Sequence, residues 1–254
     1  MKLSTAKWFL THPQFLSQAF HILKRRIFDK PDRFQEAEAI QWCKENEQSV
    51  EDIFQELGID EYELNIRNKF HEYFTYADQQ SAKTPVQMGG PGGLNTLFNL
   101  ANHYKPLRLL ETGVAYGWSS LAMLLAIKDQ SNSSLISIDM PYVAMNNESF
   151  VGTVVSDDLK EKWTLIRKAD RHGIPQALKV HAHNLDFIHY DSDKSHSGRS
   201  WAYPILWQAL NSGGVFISDD IQDNTAFKEF CESIEKIPLI HESDGKYVGI
   251  LLKN

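Results

Sequence analysis

Carboxylates that follow apolar runs are the chemistry-bearing feature of this chain. L-R-L-L precedes Glu111, L-I-S-I precedes Asp139, L-D-F-I-H-Y precedes Asp191, and V-F-I-S precedes the pair Asp219-Asp220. Runs of that length and composition predict buried strands, so each acid falls at a strand's carboxyl end. In open α/β sheets ligands bind along that rim. A carboxylate there can accept the hydroxyls of a ribose, hold a hard cation or take a proton. The plainer alternative for each acid is a turn residue or a helix cap.

The segment after Glu111 sharpens the ligand. Thr112-Gly113-Val114-Ala115-Tyr116-Gly117 is a tight turn, Ser119 and Ser120 open a helix, and Leu121 to Ile127 continue it. Gly113 and Gly117 leave room for close backbone approach. A helix start aims free N–H groups and partial positive charge above the strand. Yet Glu111 stands in front of the turn, and G-V-A-Y-G is not the G-x-G-x-x-G of dinucleotide sites. An acid there disfavours a pyrophosphate and suits an amine or hydroxyls. Asp139, 28 residues after Glu111, is placed to accept both hydroxyls of a ribose. Together they fit a nucleoside carrying a charged amino-acid tail.

The elements that must position these groups follow from the rest of the chain. Further strands are expected over Lys162 to Arg167 and in a terminal hairpin, Leu239 to Glu242 and Tyr247 to Leu252, around Ser243-Asp244-Gly245-Lys246. Helices are expected over Ile174 to Val180, Ser200 to Leu210 and from Asn224 to about Lys236. The fold class is therefore α/β: a Rossmann-like, doubly wound, mostly parallel seven-stranded sheet with a C-terminal antiparallel hairpin and an N-terminal helical extension. Residues 1–90 form that extension, which runs into the Gly/Pro-rich loop Thr84 to Gly93; residues 91–254 form the main domain. In the extension, helical spacing continues past His12-Pro13 to near Phe28, Asp29 to Asp32 make a turn, and Ser49 caps a helix closed by Gly58. Another helix is expected from Glu61 to Phe74. The extension offers a lid on the main domain or an arm for homo-oligomerisation.

The composition excludes several function classes. A net charge of −7 argues against a nucleic-acid binder. The longest uninterrupted apolar run, Leu121 to Ile127, is too short to span a bilayer, and the N-terminus shows no signal-peptide core. Cys43 and Cys231 are far apart and lack metal-site spacing, which points to free thiols and a cytoplasmic location.

Four motifs in order, E-T-G-V-A-Y-G, I-S-I-D, D-F-I-H-Y-D-S-D and G-G-V-F-I-S-D-D, resemble those of class I S-adenosylmethionine-dependent methyltransferases over residues 91 to 254. The resemblance implies that Glu111, Thr112, Gly113, Tyr116, Gly117 and Ser119 hold the methionine part of S-adenosylmethionine and that Asp139 holds the ribose. The second half is similar to the metal-dependent O-methyltransferases of the macrocin type. That similarity implies Mg²⁺ on Asp191, Asp219 and Asp220, with Asp193 as general base. Lys194 stands where many relatives have histidine. Adjacent strand ends lie about 4.8 Å apart, so their carboxylates can converge on one cation, and oxygen ligands suit Mg²⁺. Lowering a bound hydroxyl's pKa would then let Asp193 take its proton.

The expected substrate is a small molecule with a hydroxyl, a sugar or natural product. Metal-independent methylation of nitrogen or carboxylate and a non-catalytic binding module are the alternatives. Lys194, His196 and Arg199 are read as solvated loop residues, His181, His183 and His189 as structural. Trp201, Tyr203 and Trp207 are read as core or helix-surface aromatics, and Tyr142 and Phe150 as a substrate wall.

Overall fold

The computed structural model describes residues 3–16, 18–20 and 33–254. The expected end of the first long helix near Phe28 and the turn at Asp29 to Asp32 lie outside the described residues. Among them the sheet has seven strands: β1 (Arg108–Thr112), β2 (Ser134–Ile138), β3 (Trp163–Ile166), β4 (Leu185–Tyr190), β5 (Leu210–Ser218), β6 (Leu239–Ser243) and β7 (Lys246–Leu252). Their order is β3-β2-β1-β4-β5-β7-β6; the first five run parallel and β7 inserts antiparallel. This is the class I methyltransferase fold.

Alternation along each strand builds two cores. Leu109, Leu135, Phe187 and Val215 face one side, and Leu110, Ile136, Ile188 and Phe216 the other. Successive side chains on a strand point to opposite faces, so both must be covered. The first face receives α6 (Leu94–Tyr104) and α7 (Trp118–Ile127), and the second α8 (Asp170–Val180), α9 (His196–Ala209) and α10 (Ala226–Ser233).

The N-terminal part contributes α1 (Leu3–Thr11), α2 (Arg33–Glu45), α3 (Val50–Glu56), α4 (Ile66–Lys69) and α5 (His71–Ala82). Ile53, Phe54, Ile66 and Phe74 join the same core as β1 and α7, so α3, α4 and α5 pack as one with the sheet. Ser49 caps α3 by accepting from the Asp52 amide at 3.0 Å. The helix expected over Glu61 to Phe74 is instead two, broken at Phe70 (φ −115°, ψ 42°), and α5 runs on to Ala82. Strand β5 starts earlier than Val215, at Leu210, because Gly213 and Gly214 pair with Lys253 through backbone bonds.

Strand β1 has β2 on one side and β4 on the other, so the winding reverses between β1 and β4. A crevice opens beyond the strand ends at such a switch point. Both cysteines are free and buried. Among the described residues no helix is long and apolar enough to cross a membrane.

Candidate active site

The crevice is a cavity of about 880 Å³, within the usual range for small-molecule sites. Gly113, Val114, Ala115, Trp118 and Ser119 line it from the β1–α7 turn, Asp139 to Val143 from the loop after β2, and Ala169 to Arg171 from the start of α8. Asp191 to Lys194 come from the loop after β4, and Asp219, Asp220 and Lys246 complete the far side.

The turn is built by its glycines. Gly113 (φ +80°) and Gly117 (φ +95°) both adopt left-handed backbone. A Cβ on Gly113 would lie 2.2 Å from the Asp191 carbonyl oxygen, so this glycine lets the β1 and β4 loops touch. The amides of Val114 and Ala115 donate to Asp139 Oδ1 at 3.0 and 3.4 Å, and Arg167 donates to Oδ2 at 3.2 Å. Asp139 thus ties the turn to the next strand. Burial raises its carboxyl above the usual range despite these donors. Replacing Asp139 by alanine unpairs both amides and the guanidinium. S-adenosylhomocysteine affinity is expected to fall roughly 10- to 100-fold by calorimetry; unchanged affinity would remove Asp139 from the donor site.

Several expected contacts are rearranged. Glu111 is fully buried beneath the floor and does not line the cavity. It accepts from Ser119 Oγ and Ser120 Oγ at 2.5 Å each and from Ser137 Oγ at 2.6 Å. Where direct contact with a ligand was expected, Glu111 instead holds Ser119, a residue that lines the cavity. Thr112 is buried, its hydroxyl 2.9 Å from Ser192 Oγ. The Tyr116 hydroxyl donates to Val86 O at 2.8 Å and accepts from Met88 N at 3.2 Å, so it pins the Gly/Pro-rich loop rather than facing the cavity. Gly117 packs against Gly152, whose Cα would lie 3.0 Å from a Cβ there.

The acids expected to hold Mg²⁺ are engaged with protein cations. Lys194 Nζ lies 3.0 Å from Asp191 Oδ1 and contacts Asp220 Oδ2, while Lys246 Nζ lies 2.9 Å from Asp220 Oδ1. Asp219 Oδ2 faces His189 Nε2 at 3.3 Å. Burial and the Asp219 charge push the Asp191 carboxyl up to about 6 against the pull of Lys194. Among the described residues no three His, Cys, Asp or Glu side chains are grouped to hold a metal ion. The donor set therefore does not fit Mg²⁺: an ammonium already stands where the carboxylates converge.

Asp193 is held at the start of α9. Its Oδ1 accepts from Ser195 N at 3.1 Å and Ser195 Oγ at 2.7 Å. Gly198 makes room for it, since a Cβ there would lie 2.4 Å from Asp193 Cγ.

Other residues take unexpected places. Arg199 is fully buried, not solvated, and its Nη2 donates to the carbonyls of Asp219 and Asp220 at 3.1 and 2.8 Å. Lys194 belongs to the cavity; His196 pairs with Glu229 at 2.9 Å. His189 is fully buried between Glu111 and Asp219. Trp201 lines the cavity under the Arg171 guanidinium, 4.7 Å from its ring centre, whereas Tyr203 is core. Tyr142 lines the cavity and Phe150 does not. Burial pushes the Asp170 carboxyl up to about 6, and it accepts from Ser192 Oγ at 2.5 Å. Asp170 was not among the expected site residues; it opens α8 four residues after β3, on the same rim as the other acids.

Residues 110–221 match the model of a family described as a methyltransferase domain. No curated protein matches the chain significantly in sequence. Among solved structures, an O-methyltransferase from Bacillus cereus in complex with SAH is similar at TM-score 0.53 and 12% identity, covering 83% of this chain and 100% of that one. TomG, an O-methyltransferase from Streptomyces achromogenes involved in tomaymycin synthesis, in complex with SAM, is similar at 0.54 and 13%, covering 80% and 96%. The SAH-bound methyltransferase PaMTH1 from Podospora anserina is similar at 0.51 and 15%, covering 86% and 95%. At these identities the structural likeness carries the fold. The matched region runs from β1 to the turn after β5, the part of the sheet whose strand ends line the cavity, so residues 110–221 are similar to a methyltransferase domain on a class I methyltransferase fold.

Proposed function

We propose that the protein transfers the methyl group of S-adenosylmethionine to a hydroxyl of a small molecule, with Asp193 as general base. The observation that carries this reading is one shared cavity. The β1–α7 turn and Asp139 line one part of it and Asp193 another. The first set, with Glu111 buttressing Ser119, would hold the donor. The loop after β4 would face the acceptor. Two of the similar structures are O-methyltransferases by name, which favours oxygen as the acceptor atom.

The chemistry asks little of the protein beyond placement. The C–S bond breaks as the C–O bond forms, and the sulfonium charge is quenched. Catalysis then rests on in-line proximity and on removing the hydroxyl proton. A carboxylate three residues past β4, fixed by Ser195, suits the second task. We assign the N-terminal helices a capping role. Trp8, Phe9 and Phe15 pack with Met140 and Val143 of the cavity wall, and Trp8 Nε1 donates to Glu148 Oε1 at 3.4 Å.

The test is transfer of labelled methyl from S-adenosylmethionine to a panel of phenols, catechols and sugars, alongside calorimetry with S-adenosylhomocysteine. Asp193→Asn is expected to lower turnover by about 10²- to 10⁴-fold while leaving S-adenosylhomocysteine affinity unchanged. Full activity in that variant rules Asp193 out as base. No S-adenosylhomocysteine binding by the wild type sinks the reading altogether.

A further inference from the structure

The geometry points to Lys194 as the resident cation of the acceptor side: its ammonium, held between the Asp191 and Asp220 carboxylates, occupies the place of a divalent ion and makes methyl transfer independent of metal. The inference rests on the methyltransferase reading.

Position is the first argument. Asp191 follows β4 and Asp220 follows β5, and those neighbouring strands bring their carboxylates together. Lys194 Nζ contacts both. Lys246, from the first position of β7, approaches Asp220 from the other side, 2.9 Å from Oδ1 and 3.3 Å from Oδ2. Both Asp220 oxygens and one Asp191 oxygen therefore face ammonium groups. The third acid of the expected metal set, Asp219, is turned to His189.

The arrangement is built into the backbone. Asn224 Nδ2 donates to the Lys194 carbonyl at 2.8 Å, which fixes the loop that carries the lysine. Asp220 sits at φ +53°, a left-handed conformation, and buried Arg199 donates to its carbonyl. These bonds set both sides of the ion pair before any ligand arrives.

Charge is the second argument. Within this cluster two carboxylates and two ammonium groups already balance, so the Asp191 and Asp220 carboxylates have no uncompensated charge to offer a dication. Mg²⁺ and Ca²⁺ need six or more oxygen ligands at short distance. To enter, either would have to displace an ammonium from two carboxylates. Lysine supplies a positive charge on three N–H donors. Two of those directions serve Asp191 and Asp220, and the third can meet an acceptor oxygen as it gains negative charge. Lys194 lines the cavity with about a third of its side chain exposed, so substrate can reach it.

The experiment titrates Mn²⁺ alone into the full chain saturated with S-adenosylhomocysteine, followed by paramagnetic resonance of free Mn²⁺. The wild type is expected to show no saturable binding up to about 1 mM. Lys194→Ala is expected to gain a site at least about tenfold tighter, and adding Asp220→Asn is expected to remove it again. Lys194→Gln provides a second variant, accepted once its melting temperature and S-adenosylhomocysteine affinity match the wild type. Micromolar Mn²⁺ binding by the wild type overturns the proposal. So does a folded Lys194 variant that gains no Mn²⁺ affinity. Failure of the methyltransferase reading is distinguishable, because it appears as lost S-adenosylhomocysteine binding in the metal-free titration.

Discussion

Gly113→Ala is expected to abolish S-adenosylhomocysteine binding and to lower the melting temperature by about 10 °C, from a loss of roughly 3–5 kcal/mol. Two effects combine at this position. The left-handed backbone at φ +80° costs any residue with a Cβ about 1–2 kcal/mol. The larger part is collision: that Cβ would lie 2.2 Å from the Asp191 carbonyl oxygen and 2.7 Å from its carbon. Backbone cannot swing aside as a side chain can, so the loops after β1 and β4 must part. The β1 loop carries the amides bonded to Asp139, and the β4 loop carries Asp191, Asp193 and Lys194. Gly213→Ala separates the two effects. Gly213 has nearly the same backbone, φ +79°, but a Cβ there meets nothing within 4 Å. It is expected to cost only about 1 kcal/mol and to leave ligand affinity unchanged. Equal losses for the two variants would show that backbone strain, rather than the closure of the two loops, is what matters at Gly113.

The strands and their terminal acids were legible because burial on both faces leaves continuous apolar runs, which end where a polar rim begins. L-I-S-I and L-D-F-I-H-Y lie within a residue of β2 and β4. The direction of each side chain at the rim was less legible. Glu111 and Asp139 both follow apolar runs, yet Glu111 is the fourth residue of β1, pointing down among serines, whereas Asp139 lies just past β2 and meets the turn. The β1–β2 register pairs Glu111 with Ser137, so Asp139 stands two residues farther out, and depth along the strands rather than the choice of face separates the two acids. Lys194 and Arg199 looked like solvated loop cations because their partners, Asp220 and the Asp219 and Asp220 carbonyls, lie 20 to 26 residues away. Phe70 broke a helix that spacing alone had continued, because Asn65 caps the short first piece and the chain bends after one turn. His189 offered a usable signal. It sits two residues before Asp191, and parallel pairing of β1 with β4 sets it opposite Glu111.

That pairing supports the second large expectation: His189→Leu costs roughly 3–5 kcal/mol at neutral pH and removes much of the alkaline sensitivity of the fold. His189 has no exposed surface; its Nδ1 lies 3.6 Å from Glu111 Oε1 and its Nε2 3.3 Å from Asp219 Oδ2. Burial by itself would push the imidazole down, but Asp219 first and Glu111 second outweigh it and carry the pKa up to about 10. The ring is therefore an imidazolium at neutral pH, bridging the donor-side acid and the acceptor-side acid under the cavity floor. Its folded pKa lies above the unfolded value near 6.5. Its stabilisation is thus fully present below about pH 6.5 and disappears as the pH rises through 10. Leucine fills similar volume but leaves two carboxylates near each other with no cation between them. Glu111 keeps its three serine donors, so the larger disturbance falls on Asp219 and the turn beside Lys194. Urea unfolding of wild type and His189→Leu from pH 6.5 to 10 reads the difference directly, since every other titrating group is common to both. The gap between the two curves should be widest at the acidic end and narrow steadily toward pH 10. A gap that stays constant across that range would mean the ring acts only by packing, and the charge linking the two halves of the site would have to be withdrawn.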